Sequence, residues 1–170
     1  PVGSVDRISD GALTLNYTYD SYGRVVSRSH VVNGVTVYAL SLSPDGVDNL
    51  LSKTETKAGL AETIEYGYNA DGELLTVTRN GVLAEEYDYD LNRNRVSAAR
   101  NGGAPQAASY DSLDRLTGRG SVTYELNDNG YLVSRGDDTF TYSARGELLQ
   151  AQLAGGKTIS YVYDGFGRLV

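Results

Sequence analysis

The 170 residues contain no cysteine, tryptophan or methionine, and only three prolines, two phenylalanines and one histidine. Without cysteine, a disulfide framework and thiolate metal centres are excluded. No run approaches the ~18 apolar residues of a membrane helix, and the opening PVGSVDRISDG is not a basic-then-apolar leader. Positive charge is also scarce. Lys and Arg number 15 against 22 Asp and Glu, a formal net charge of −7 that disfavours nucleic acid or an anionic membrane as principal partner. No Met opens the chain and the last motif stops at Val170, so the sequence is expected to be a piece of a longer protein.

Tyrosine and glycine are abundant, at 14 and 20. Tyrosine suits half-buried pleated surfaces and glycine suits tight turns, so the composition leans to β structure. The length allows one domain with a core and is short for two.

Set against itself, the chain repeats. Copies begin at Tyr17 (YTYDSYGRVV), Tyr66 (YGYNADGELL), Tyr87 (YDYDLNRNRV), Ala108 (ASYDSLDRLT), Val122 (VTYELNDNGYLV), Phe140 (FTYSARGELL) and Tyr161 (YVYDGFGRLV). A degenerate copy starts at Tyr38. Each reads as strand, turn, strand. Leu13, Leu15, Tyr17 and Tyr19 share one face of a period-two segment, with Thr14, Asn16 and Thr18 on the other. An Asp or Asn then opens a turn and a glycine three residues on accepts positive φ. Between copies, Asn33-Gly34, Asn80-Gly81 and Asn101-Gly102 mark hairpins, and Gly136-Asp137-Asp138 and Gly155-Gly156 take the same role. The expected fold is all-β, an antiparallel meander of hairpins over 1–170. The stretch from Val47 to Leu60 is expected to be a longer loop or irregular hairpin.

The motif Tyr163-Asp164-Gly165-Phe166-Gly167-Arg168-Leu169 and its copies resemble the YD repeat of the Rhs and YD-repeat family. That family includes bacterial Rhs polymorphic toxins, wall-associated repeat proteins, the C component of insecticidal toxin complexes, and teneurin-type shells. The resemblance implies a curved or spiralling sheet forming a hollow β-shell, secreted or at the cell surface, which in the toxins encloses an effector. The motif residues it assigns are Tyr17, Tyr19, Asp20, Gly23 and Arg24; Tyr66, Tyr68 and Gly72; Tyr87, Tyr89 and Asp90; Tyr110, Asp111 and Arg115; Tyr142 and Gly146; and Tyr161, Tyr163, Asp164, Gly167 and Arg168. Glu73 and Glu147 in place of Arg, Asp114 in place of Gly, an inserted residue in the copy at Tyr87, and the altered copy at Val122 read as decay. Nothing matches the aspartate self-cleavage segment of the toxin relatives.

In the motif, Asp20, Asp90, Asp111 and Asp164 are expected to cap their turns, and Arg24, Arg115 and Arg168 to pair with a carboxylate or stack on tyrosine. The tyrosines are expected to form a stacked cross-strand ladder; exposed beside Asp, Asn and Arg, they would instead resemble a sugar-binding surface. His30 has no partners for a nucleophilic triad, and Asp88, Asp90 and Asn92 begin a calcium loop that Arg93 and the missing distal Glu do not complete. The expectation is therefore a non-enzymatic wall segment without cofactor or metal. Its partners are flanking repeats, an enclosed effector, and other copies through open sheet edges; the alternative is an adhesion module for glycan or protein.

Overall fold

The computed structural model describes residues 4–170. Sixteen strands follow in chain order, with no helix among the described residues: β1 (Arg7–Asp10), β2 (Leu13–Tyr19), β3 (Val25–Val32), β4 (Val35–Pro44), β5 (Leu50–Lys57), β6 (Leu60–Tyr68), β7 (Leu74–Arg79) and β8 (Val82–Tyr89) come first. Then come β9 (Arg95–Arg100), β10 (Gln106–Tyr110), β11 (Leu116–Arg119), β12 (Val122–Leu126), β13 (Leu132–Arg135), β14 (Asp138–Tyr142), β15 (Leu148–Gln152) and β16 (Thr158–Ser160). Sheet order equals chain order, an open antiparallel meander. The chain divides into two compact units, one of residues up to Asp88 with Ala98–Pro105, the other of Tyr89–Ser97 with Gln106–Val170.

In the first unit β2 to β8 are six to ten residues long. In the second, β10 to β16 are three to five. This explains the uneven spacing of the sequence repeats: turn chemistry is kept while strand length varies.

Both units are single-layered, and that corrects the expectation of a core. Ile64, Val77, Ala84, Tyr87 and Ala151 are the buried apolar residues among those described, and no side chain is fully buried. Each strand instead separates two chemistries by its period of two. On one face of the first unit, Thr18, Ser27, Ser41, Thr54 and Thr63 follow one another across five strands. Hydroxyl pairs join them at 2.6 Å (Thr18 and Ser27) and 3.0 Å (Thr54 and Thr63). The second unit repeats this with Ser134, Thr139, Gln152 and Thr158. The opposite face carries tyrosines, aliphatic residues and the basic residues of these strands: Arg28, Lys53, Lys57 and Arg79 in β2–β8, and Arg119 and Arg135 in β10–β16.

A β-bulge recurs beside the residue that precedes the turn in six of the repeats. The register shifts at Thr18/Tyr19, Ser43/Pro44, Gly67/Tyr68, Ser109/Tyr110, Glu125/Leu126 and Thr141/Tyr142. An extra residue on one strand bends it and adds right-handed twist, so local curvature is written into these six copies. Two further register shifts occur at His30/Val31 and Val77/Thr78.

The stretch expected to be a longer loop or irregular hairpin contains β5, an eight-residue strand paired with β4 and joined to β6 by a regular hairpin. Its glycine does not break it; Gly59 closes a two-residue hairpin. Ala58 and Gly59 have φ of 48° and 81°, matching Asn33-Gly34 at 50° and 80° and Asn80-Gly81 at 48° and 77°. Two positive φ values are the signature of the primed turn that suits a twisted hairpin. Alanine hides the signal because its Cβ disfavours that conformation. Ala58→Asn should therefore raise the free energy of unfolding by roughly 0.5–1 kcal/mol in a denaturant titration, and Ala58→Val should lower it.

Candidate functional site

The repeated chemistry lies at the turn edge of each unit. Among the described residues, eight five-residue turns open at a polar residue, Asp20, Asp45, Asn69, Asp90, Asp111, Asn127, Ser143 and Asp164, and in each the opening amide donates to the carbonyl of the fifth residue at 2.8–3.0 Å; a ninth, opened by Leu153, has the same backbone bond but no side-chain oxygen. One side-chain oxygen of the polar opening residue then accepts two further amides, from the third and fifth residues. For Asp20 these are Tyr22 and Arg24, both at 2.9 Å; for Asp111, Leu113 and Arg115 at 2.9 and 3.0 Å; for Asp164, Phe166 and Arg168 at 2.9 and 3.0 Å. Ser143 does the same with its hydroxyl at 3.2 Å. Short polar side chains favour this local capping because their oxygen reaches amides two and four residues on. The fourth residue takes positive φ, 85° at Gly23, 79° at Gly72, 85° at Gly146 and 76° at Gly167.

A second contact locks the turn. In Asp20, Asp111 and Asp164 the other carboxylate oxygen accepts Nε of Arg24, Arg115 and Arg168, each at 2.7 Å. Asp45 and Asp90 accept the side-chain amides of Asn49 and Asn94 at 3.0 and 3.1 Å. Where the opening residue is a donor, the polarity reverses: Asn69 donates to Glu73, and Ser143 donates to Glu147 at 2.8 Å. Glu73 and Glu147 are therefore matched partners rather than decay. The copy at Tyr87 contains no insertion; Arg93 occupies the glycine position at φ 69° and Asn94 the arginine position. The copy at Val122 opens at Asn127, and its fifth residue, Tyr131, stacks on Tyr142 at 5.0 Å and 22°.

Two of the locks also reach the next turn. Arg24 Nη1 binds Asp48 and its Nη2 donates to the Asp45 carbonyl at 3.0 Å. Asn92 and Asn94 donate to Asp114 at 2.9 and 2.7 Å. Asp48 and Asp114 occupy the left-handed position, at φ 71° and 58°, where the other turns have glycine or arginine. Backbone strain at Asp114 is thus offset by two side-chain hydrogen bonds across the repeat boundary.

The tyrosines follow a different plan from the expected ladder. Tyr17 faces Arg28, Tyr19 faces Val25, Tyr66 faces Val77 and Tyr68 faces Leu74. The tyrosine just before the turn instead donates its hydroxyl to a carbonyl of the preceding repeat. Tyr68 reaches Leu50, Tyr110 reaches Arg95 and Tyr163 reaches Leu148, each at 3.1 Å, and Tyr19 reaches Val5 at 2.6 Å. Burial pushes the Tyr68 phenol up. Of the first tyrosines, Tyr87 is buried, while Tyr17, Tyr66 and Tyr161 are half-buried; Tyr89 is half-buried at the end of β8. His30 is half-buried on β3 with its ring 4.8 Å from Tyr38. Asp88 is exposed, and both oxygens of Asp90 are engaged within its own turn.

These contacts lower the pKa values of the turn aspartates. Burial opposes ionisation of Asp20 and Asp45, but the Arg24 guanidinium for the first, and the Val47 amide and Asn49 for the second, outweigh it. The Asn94 side chain leads at Asp90, and the Arg115 and Arg168 amides lead at Asp111 and Asp164. A carboxyl held below its unfolded value stabilises the fold above that value, ~3.9, and the stabilisation is lost as pH falls through the folded pKa.

The Teneurin YD-shell family model matches residues 2–170. Teneurin-4 of Mus musculus is 34% identical over 168 residues, covering 96% of this chain and 6% of the relative. Teneurin-3 of Danio rerio is 34% identical over 166 residues, covering 95% and 6%. The chain thus spans about 6% of the length of the curated relatives it matches. Among solved structures, the Tc holotoxin pore of Photorhabdus luminescens superposes with a TM-score of 0.71 at 18% identity, over 96% of this chain and 11% of that one, a likeness of fold.

The polarity rule gives a double-mutant test. Glu73→Arg restores the commoner residue but places a cation against the Asn69 amide donor, and should destabilise the fold. Asn69→Asp in the same chain should recover most of the loss, with a coupling of roughly 1 kcal/mol by denaturant unfolding. Additive effects would refute the matched-polarity lock.

Proposed function

The chain belongs to the Teneurin YD-shell family, and from that premise we propose that this structural shell segment is a wall that encloses a polypeptide effector of its parent protein and carries no catalysis itself. The observation that carries the reading is the single layer. Each unit presents a hydroxyl face and an aromatic, basic face with no second layer over either, the construction of a partition between two spaces rather than of a globular core. Chemistry-bearing side chains support the same reading: the aspartates and arginines of the repeats are engaged with one another and with the backbone. Among the described residues no His, Cys, Asp or Glu group is arranged to hold a metal ion.

Flanking YD repeats are the immediate partners in this proposal, joining at β1 and β16, where the strand order ends. The same edges would also pair with a second copy. A secreted or cell-surface location belongs to the reading as well. Among the described residues no helix is long and apolar enough to cross a membrane, which says nothing of strands. The glycan alternative draws no support from the tyrosines whose hydroxyls bind backbone carbonyls.

Enclosure makes the two faces unequal in the intact parent protein. Cysteine placed on the hydroxyl face (Thr54→Cys) and on the aromatic face (Leu40→Cys) should react with a bulky maleimide at rates differing at least tenfold in the full-length protein. The rates should converge when the 170-residue chain is labelled alone. Equal rates in the full-length protein would overturn enclosure.

A further inference from the structure

One polar cluster in the first unit is not part of the repeat. On the aromatic face, Arg28 and His30 of β3, Tyr38 of β4, and Lys53, Glu55 and Lys57 of β5 lie side by side, because His30 pairs with Tyr38 and Tyr38 with Lys57 in the register, while Arg28 and Glu55 flank Leu40. The Tyr38 ring is shared: His30 lies tilted against it at 4.8 Å and 39°, and the Arg28 guanidinium stands 5.2 Å from its centroid. A cation over a tyrosine face is held without losing its charge.

The charges do not balance. Glu55 is the carboxylate within the cluster, and it is occupied by Lys57 at 3.2 Å and Lys53 at 3.6 Å. The Tyr38 hydroxyl and the Lys57 ammonium hold its carboxyl below the usual range. The next acid on this face, Glu62, is paired with Arg79 at 3.3 Å. Arg28 is left with a long 3.4 Å contact from Nη2 to the Tyr38 hydroxyl and a buried Nε that meets no acceptor. The buried Nε is out of reach of an incoming acceptor, so a docked carboxylate would meet the terminal nitrogens of the fork, of which Nη2 has the long Tyr38 contact. Lys57, across from Tyr38 in the register, has 69% of its side chain exposed.

We infer that this cluster is a docking site for an acidic polypeptide segment, with Arg28 and Lys57 receiving a side-chain carboxylate and Tyr38 and His30 forming the apolar floor beneath it. Charge complementarity selects this occupant: Lys53 and Lys57 share the Glu55 carboxylate, and Arg28 beside them adds a third permanent cation, on a face of a chain whose net charge is −7. The assignment concerns the chemistry of one face and holds whichever face points inward, so it stands or falls apart from enclosure.

Fluorescence anisotropy of labelled peptides on the 170-residue chain tests it. A decaglutamate peptide should bind, with affinity falling as salt rises, whereas decaglutamine and decalysine should not. Lys57→Gln, at an exposed position that leaves the fold intact, should weaken binding at least threefold. Arg28→Gln should weaken it at least fivefold, with the thermal midpoint of each variant measured alongside to separate binding from folding. Arg119→Gln, in the other unit, should change nothing. No binding of decaglutamate, or binding unaffected by Lys57→Gln, would overturn the site. Binding of a sulfated oligosaccharide with none of the peptide would overturn the polypeptide assignment.

Discussion

One side-chain oxygen closes each of the eight capped turns of this sheet. The Oδ1 of Asp20, and its counterparts down to Asp164, accepts amides two and four residues on, so a reversal with no apolar support has its backbone donors satisfied locally. The need is acute because the strands have almost no core to lean on. Burying apolar side chains is the usual driving force of folding, and here it is spread thinly over half-buried positions. What remains is a continuous backbone ladder, and a ladder is only as well registered as its turns. Fixing the turn fixes the adjacent bulge and the alternation of faces, since a slip of one residue would exchange hydroxyl and aromatic faces along a whole strand.

From that constraint the coupling between repeats follows. The fifth residue of a turn locks its own opening residue and then reaches forward, as Arg24 does to Asp48 and Asn94 to Asp114. The tyrosine before the turn reaches back, as Tyr163 does to Leu148. Polar contacts at the edge thus tie several repeats to their neighbours, a nearest-neighbour arrangement that suits a sheet extended by repetition. Glycine at the fourth position has a second use beyond its φ: a Cβ on Gly146 would overlap the Tyr131 ring, and one on Gly167 would stand 3.3 Å from Glu147 Oε1.

Much of this is legible in the sequence, since strand alternation, the Asn-Gly hairpins and the Tyr-Asp-x-x-Gly-Arg string each have a local cause. The parts that were not legible have causes too. The hairpin at Ala58-Gly59 lacks the asparagine that marks its sisters, so β5 was concealed by a strained residue. Glu73 and Glu147 look degenerate when each copy is compared with a consensus, and become intelligible only when compared with Asn69 and Ser143 four residues earlier. That signal was present in the chain: Asp pairs with Arg or Asn, whereas Asn69 and Ser143 pair with Glu. The destination of the tyrosine hydroxyls could not be read at all, because a carbonyl one repeat away is a tertiary partner with no side-chain identity. The aromatic ladder was expected where the register sets Tyr17 against Arg28 and Tyr66 against Val77.

If the turn oxygens govern the fold, residue-resolved amide hydrogen exchange across a pH series tests the claim most directly. The amides of Tyr22, Arg24, Leu113, Arg115, Phe166 and Arg168 should be protected above about pH 5 and lose protection together below about pH 4, after correction for intrinsic exchange, with unfolding following in the same range. Protection centred on Ile64, Val77 and Tyr87, with turn amides exchanging freely at every pH, would contradict it and return the stability of this protein to its few buried residues.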